Sequence, residues 1–304
     1  MTNQAKGIIY TLITVLMWGV LAIALKVATR EIDSPTIVWF RFSLAFSALF
    51  AWMAVKNSKE LKILYKPSWL IVLSSIALAW NYMGFMLGIQ YTSPSNAQVA
   101  IQSGPLLLAL FGILFFREKI TKVQIIGFLF ALLGFWIFYQ QHVNAVPVGQ
   151  GSQYTKGMLI TFSGAVAWAI YAALQKRLVV HYPVGTLNVF IFGLHILLYL
   201  PFVNFGSLAH LSFGYWALLI FLGANTLISY GCLSLALKYL EAGKVSVIII
   251  LNPIITFILM GILTELKVDW IAGEHFSVLS IAGALIALGG AILVVRKKKK
   301  HVAE

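Results

Sequence analysis

Gln98, Gln102 and Pro105 fall at i, i+4 and i+7 within an apolar stretch, so a helix carries them on one face. Amide side chains in such a setting donate to and accept from a neutral or zwitterionic solute. Pro105 and Pro253 each remove a helix hydrogen bond, which makes a packing kink, a pocket with freed carbonyls, or both. Asn252, next to Pro253, is placed to touch solute or to cap a broken helix. Trp18 and Trp168 form one aromatic pair and Tyr82 and Tyr230 a second, with Tyr171 three residues after Trp168. Such rings wall cavities and stack on planar or cationic solutes, and they also serve as packing and interface anchors. Asn81, beside Tyr82, and Asn225, one turn before Ser229, complete a candidate substrate-binding set.

Two ionisable residues lie deep in apolar sequence. Arg41 sits about two helical turns into its stretch. It is suited to hold a carboxylate or phosphate bidentately, or else to snorkel or pair with Glu31 or Asp33. His195, seven residues after Asn188 on the same helical face, is either a proton shuttle or a side chain bonded within the bundle. Lys26 and Lys176 stand at corresponding stretch ends and mark the water boundary. All nine acidic residues fall in loops, at stretch boundaries or in the tail, so none is expected deep in the bundle to bind a proton or cation. Clusters with metal-ligand spacing, a phosphate-binding Gly loop and a nucleophile–base pair are all missing from the sequence, so no cofactor or metal is expected.

The elements that position these residues follow from composition. The chain is 61% hydrophobic and 10% charged over 304 residues, too apolar for a soluble domain of that size. Ten stretches are long enough to span a bilayer, near 8–28, 35–55, 69–89, 94–116, 121–140, 157–178, 184–204, 213–236, 244–263 and 277–295. In hydrocarbon each must be helical to satisfy its own backbone. The first run resembles a signal sequence but lacks a small-residue cleavage site, so it reads as a retained first helix. Cys232 is the single cysteine, which rules out an internal disulfide.

The net charge of +13 does not mark a nucleic-acid binder, because the basic residues lie between spans and not on one face. With the N-terminus in the cytoplasm, the inner segments hold 17 Lys and Arg and the outer loops hold Arg30, Lys156 and Lys267. This positive-inside bias predicts two cytoplasmic termini, in what is expected to be a bacterial inner (plasma) membrane. The basic tail 296–300 is a topology anchor that also meets anionic lipid.

The second half of the sequence repeats the first. Gly7 and Trp18 recur 150 positions on, as Gly157 and Trp168. Tyr82, Tyr91 and Pro105 recur 148 on, as Tyr230, Tyr239 and Pro253; Glu118, Gly127 and Gly134 recur 156 on, as Glu274, Gly283 and Gly290. Extra sequence at 264–272 accounts for the change of offset, and the segment 264–277 is expected to lie on the outer surface as a short amphipathic piece. The predicted organisation is a first repeat over 1–140, an outer linker over 141–156, a second repeat over 157–296 and a tail over 297–304. Five spans per repeat is an odd number, so the second copy enters from the opposite side and the repeats are related by an axis in the membrane plane. The fold class is an all-α polytopic membrane protein of ten transmembrane helices in two inverted five-helix repeats. Small residues at Gly127, Ala131, Gly134 and at Gly283, Ala287, Gly290 predict close helix contact, preferably between the halves.

The run Trp18-Gly19, Lys26, Pro35 and Arg41 resembles the opening of an EamA domain, of the drug/metabolite transporter superfamily. The segment 88–121 is similar to that domain's fourth span and acidic loop, and Gly127 to Gly134 to its closing helix. Gly157 to Gln175, Tyr239 to Pro253 and Gly273 to Gly290 resemble a second copy, while 264–272 departs from the pattern. The resemblance implies ten helices with cytoplasmic termini, the first four of each repeat around a central cavity and the fifth and tenth as a scaffold. It also implies substrates ranging over amino acids, metabolites, nucleotide sugars and drugs. The lack of a deep carboxylate sets this chain apart from the small four-helix multidrug relatives.

The resulting expectation is a secondary transporter or facilitator, not an enzyme, that moves small metabolites such as amino acids or related compounds, with export as one direction, by alternating access. Its partners would be a small-molecule solute and the lipid bilayer, in a monomer or homodimer. A lipid or lipid-linked sugar translocase is the alternative within the class, and a membrane-embedded lipid-modifying enzyme the alternative outside it.

Overall fold

In a computed structural model, which describes residues 2–116, 121–145, 151–240 and 242–295, the described chain is helical without strands. The helices are α1 (Asn3–Ala28), α2 (Ser34–Lys56), α3 (Trp69–Tyr91), α4 (Pro94–Ile101), α5 (Ser103–Phe116), α6 (Lys122–Ala145), α7 (Gly151–Leu178), α8 (Val184–Tyr199), α9 (Phe205–Ala209), α10 (Phe213–Tyr239), α11 (Ala242–Ile249), α12 (Asn252–Glu265) and α13 (Val278–Val295). Eight helical segments are long and apolar enough to cross a membrane, and Val278–Val294 is a shorter apolar helix. With the broken pair α4–α5, these account for the ten predicted spans. Glu118 and the tail 296–300 lie outside the described residues. Within the described residues α6 runs to Ala145 and α7 starts at Gly151.

Local sequence sets the helix starts. Asp33 accepts the Thr36 N–H at 3.0 Å with Pro35 in the first turn, and Ser93 accepts the Asn96 N–H at 3.3 Å with Pro94 opening α4. The two internal breaks have one cause. A proline ring clashes with the carbonyl four residues earlier and cannot donate to it. Four residues before Pro105 is Ile101, the last residue of α4; four before Pro253 is Ile249, the last of α11.

Packing between the halves is reciprocal. α1 packs on α10 and α12, and its counterpart α7 packs on α3, α4 and α5; α2 packs on α8 and α6 on α13. A Cβ on Gly134 would come within 2.6 Å of the Gly283 carbonyl, and one on Gly290 within 2.6 Å of the Gly127 carbonyl. Those two contacts exchange under the 156-residue offset. The start of α1 at Gly7 meets Leu240, beyond the end of α10, while the start of α7 at Gly157 meets Tyr91 and Thr92 at the end of α3. α1 and α3 run in the same direction, so α7 begins where α1 ends and runs against it. The repeats are therefore inverted, and the glycine seam of α6 and α13 joins them, as the small-residue pattern predicts.

Large apolar side chains face outward, among them Leu16 on α1, Leu132 and Trp136 on α6 and Leu285 on α13. Water would not tolerate such a surface and lipid does. The interior holds Leu25, Ile37, Phe42, Leu78, Met86 and Phe192, all buried.

The segment 264–277 departs from its expectation. It is not an amphipathic surface helix past Glu265 but a folded-back loop with Lys267 at φ 50°. Ile271 is buried against Ile23 and Met260, with Val268 and Phe276 packed beside it. Val268, Ile271 and Phe276 plug the gap between α1 and α12 while Leu266 and Trp270 stay exposed, so the apolar residues do not form the continuous stripe of a surface helix.

Candidate functional site

A cavity of about 600 Å³, counting the space at its opening, lies in the middle of the bundle. α1 contributes Trp18 and Leu21; α2 contributes Arg41; α3 contributes Asn81, Tyr82 and Phe85. The break between α4 and α5 supplies Gln98, Ile101, Gln102 and Pro105, and the equivalent break supplies Ile249 and Asn252. Trp168 and Tyr230 complete the lining from α7 and α10. Neither α6 nor α13 reaches it, in keeping with a scaffold role for the fifth and tenth spans.

The aromatic frame draws on both repeats. The rings of Trp18 and Tyr230 are 5.5 Å apart between centroids, and so are those of Tyr82 and Tyr230. Tyr171 stands behind Tyr230 at 6.0 Å and is fully buried outside the lining. The polar groups are not symmetric. Gln98 donates to the Trp18 carbonyl at 2.8 Å and receives a hydrogen bond from the Asn252 amide at 3.4 Å. Asn252 thus joins one helix break to the other, instead of capping its own. Asn81 donates to the Gly164 carbonyl at 3.0 Å, where Gly84 and Gly164 let α3 and α7 approach. The Gln102 and Asn252 side-chain oxygens are buried without a partner.

Arg41 is 1% exposed. Its Nε donates to Thr226 Oγ1 at 3.0 Å, and its guanidinium carbon lies 4.8 Å from the centre of the Tyr82 ring. It neither snorkels nor pairs with Glu31 or Asp33, since Asp33 is occupied in capping α2. Its Nη2 has no hydrogen-bond partner.

Four predicted residues lie outside the cavity wall: Tyr171, Asn225, His195 and Pro253. Asn225 is turned onto α1, donating to the Met17 carbonyl at 2.8 Å. His195 lies between α8 and α3, with Nδ1 2.6 Å from the Ile191 carbonyl, Ser75 at 3.3 Å and the Phe42 ring stacked 3.9 Å away. A donor bond to its own helix holds the ring in the Nδ1–H form, which fits a histidine bonded within the bundle. Pro253 is buried one residue from the lining and acts through the break it forces.

Sequence reasoning missed Leu21, Phe85, Ile101 and Ile249. Each is three residues from a predicted site residue, so helical spacing held the signal. It also missed the position of Glu274. The folded-back loop lays this carboxylate on the start of α4, where Ser95 N–H reaches Oε1 at 3.4 Å. Burial pushes the carboxyl above its ordinary range, against the opposing effects of Ser95, Ser93 and Lys26. Lys26 and Lys176 do more than mark water: Lys26 donates to the Ile89 carbonyl at 2.9 Å and Lys176 to that of Leu237 at 2.6 Å, equivalent helix ends in the two repeats.

The EamA-like transporter family model matches residues 5–140 and 155–296, one copy on each half of the bundle. This chain belongs to the EamA-like transporter family. Among members of known sequence, the uncharacterized inner membrane transporter YhbE of Escherichia coli K12 is 32% identical over 96% of this chain and 92% of its own length. An uncharacterized transporter of Haemophilus influenzae is 30% identical over 94% of each chain. A crystal structure shares the fold, with a TM-score of 0.67 over 96% of this chain and 97% of that one at 16% identity. The protein is thus an integral membrane transporter of the EamA type, and its partners are a small-molecule solute and membrane lipid.

Proposed function

We propose that this EamA-type protein is a secondary transporter or facilitator of small metabolites, amino acids or related compounds, working by alternating access in a bacterial inner membrane. The observation that carries the proposal is the central cavity, walled from both inverted repeats by Trp18, Trp168, Tyr82 and Tyr230 and floored by the two proline-broken helices. Inverted halves of similar packing can exchange conformations, so a solute held between them meets each side in turn. Gln98, Gln102 and Asn252 would orient the solute, and the breaks at Pro105 and Pro253 would let each gate bend. The charge bias of the loops supports cytoplasmic termini. The test is flux of labelled amino acids in vesicles containing the purified protein. Combined Trp18→Ala, Gln102→Ala and Tyr230→Ala replacement should abolish a flux the wild type sustains; undiminished flux would place the pathway elsewhere.

A further inference from the structure

Among the described residues, Arg41 is the one charged side chain lining the cavity, and none of their carboxylates neutralises it. Removing a guanidinium from water without a counterion costs several kcal/mol. Thr226 and the face of Tyr82 offset part of that cost, and Nη2 is left with no acceptor. The wall also has the opposite deficiency, because the side-chain oxygens of Gln102 and Asn252 are buried and accept nothing. Unmet donor and unmet acceptors therefore belong to residues that line one space, with the aromatic residues around it. The repeat does not supply this pattern twice. Under the offsets of 150 and 148, Ile191 stands opposite Arg41 and Ile250 opposite Gln102. A chamber framed by both repeats thus carries a polar direction of its own.

Resting on the transport reading above, we propose that the cavity takes a small organic monocarboxylate. Its anionic group would sit on Arg41, its hydrogen-bond donor, such as an ammonium, on Gln102 and Asn252, and its apolar body between Trp18, Trp168 and Tyr230. A singly charged carboxylate fits better than a phosphate dianion, because the wall holds one cation and Nε of that cation is already engaged by Thr226. Binding removes the standing cost of the uncompensated guanidinium, so such ligands stabilise the protein as they bind.

The test uses the full-length protein in detergent, with thermal shift and tryptophan fluorescence as readouts. The probes are L-phenylalanine and L-leucine, the matching carboxamides, and 2-phenylethylamine. The acids should bind roughly 30-fold more tightly than their amides, the range expected for one hydrogen bond to a charged group. In Arg41→Gln that preference should fall below about threefold while affinity for the amides stays as it was. The comparison of acid with amide in the wild type needs no variant, so it stands even where Arg41→Gln does not fold. Amides or amine binding as tightly as the acids overturns the anion subsite and leaves a solute-binding cavity intact. An unchanged preference in folded Arg41→Gln overturns Arg41 as its anchor. Binding of none of the probes overturns this inference, while the vesicle flux assay decides the transport reading separately.

Discussion

Gly134→Ala isolates the packing that joins the two repeats. The new methyl carbon would lie nearest the Ala287 backbone nitrogen and 2.6 Å from the Gly283 carbonyl oxygen, where ordinary contact begins at 3.4 Å. The obstacle is backbone, so no rotamer can move aside, and α6 and α13 must part by about 1 Å or tilt. Overpacking of this kind costs ~1–3 kcal/mol, and a backbone obstacle puts the value near the upper end. Gly289→Ala is the control, because its Cβ meets nothing within 4 Å and it precedes Gly290 on the same helix. Alanine gains ~0.8–1 kcal/mol of helix propensity over glycine at either position, so that term cancels in the comparison. Gly134→Ala should therefore unfold ~2–3 kcal/mol more easily than Gly289→Ala in a denaturant titration of the detergent-purified protein. Gly290→Ala should match it, since its Cβ meets the Gly127 carbonyl at the same 2.6 Å. The double variant should cost less than the sum of the singles, because one separation of the helices accommodates both methyls. Equal stability of Gly134→Ala and Gly289→Ala would refute the close seam, and strict additivity would refute the shared rigid-body displacement.

Pro105→Ala should let α4 run on into α5 through a restored bond to the Ile101 carbonyl, leaving stability equal or higher while vesicle flux falls at least about tenfold. Undiminished flux would reduce the break to a packing kink. Glu274 predicts a pH dependence outside the membrane. Burial raises its carboxyl, so docking of the 266–277 loop on α4 is fully favoured below the ordinary glutamate range and weakens as pH rises through the raised value. The groups facing it are Lys26 from α1, Ser93 and Ser95 from α4 and Tyr154 from α7. Hydrogen exchange in that loop should speed up with pH beyond its intrinsic chemical dependence, and Glu274→Gln should remove the excess. Slower corrected exchange at higher pH would reverse the sign and refute the argument.

The bundle was legible because a bilayer leaves few choices. Continuous apolar runs predict helices, and five spans per repeat predict inversion before any contact is known. Where the polarity pattern weakened, so did legibility. The loop 264–277 contains Val268, Ile271 and Phe276 among charged residues, and composition does not distinguish a surface helix from a folded plug. The helix breaks were readable to the residue, since a proline acts on a carbonyl at a fixed distance along the chain.

The site was legible in its residue types and less so in its directions. Trp18, Trp168, Tyr82, Tyr230, Gln98, Gln102 and Asn252 come together because all lie near the middle of their spans. Asn225 and His195 share that depth yet bond to backbone, Asn225 on the adjoining helix and His195 on its own, because a polar side chain in hydrocarbon takes whichever partner is within reach. Depth is written in the sequence, and rotation about the helix axis depends on the neighbour. Symmetry resolves part of this ambiguity: a residue conserved across the two copies, such as Trp18 with Trp168, is bound to the shared frame. A residue present in one copy alone, such as Arg41, is free of that constraint. On the proposed mechanism, the chamber's discrimination between solutes belongs to the unpaired polar residues, and its motion to the paired aromatic and proline ones.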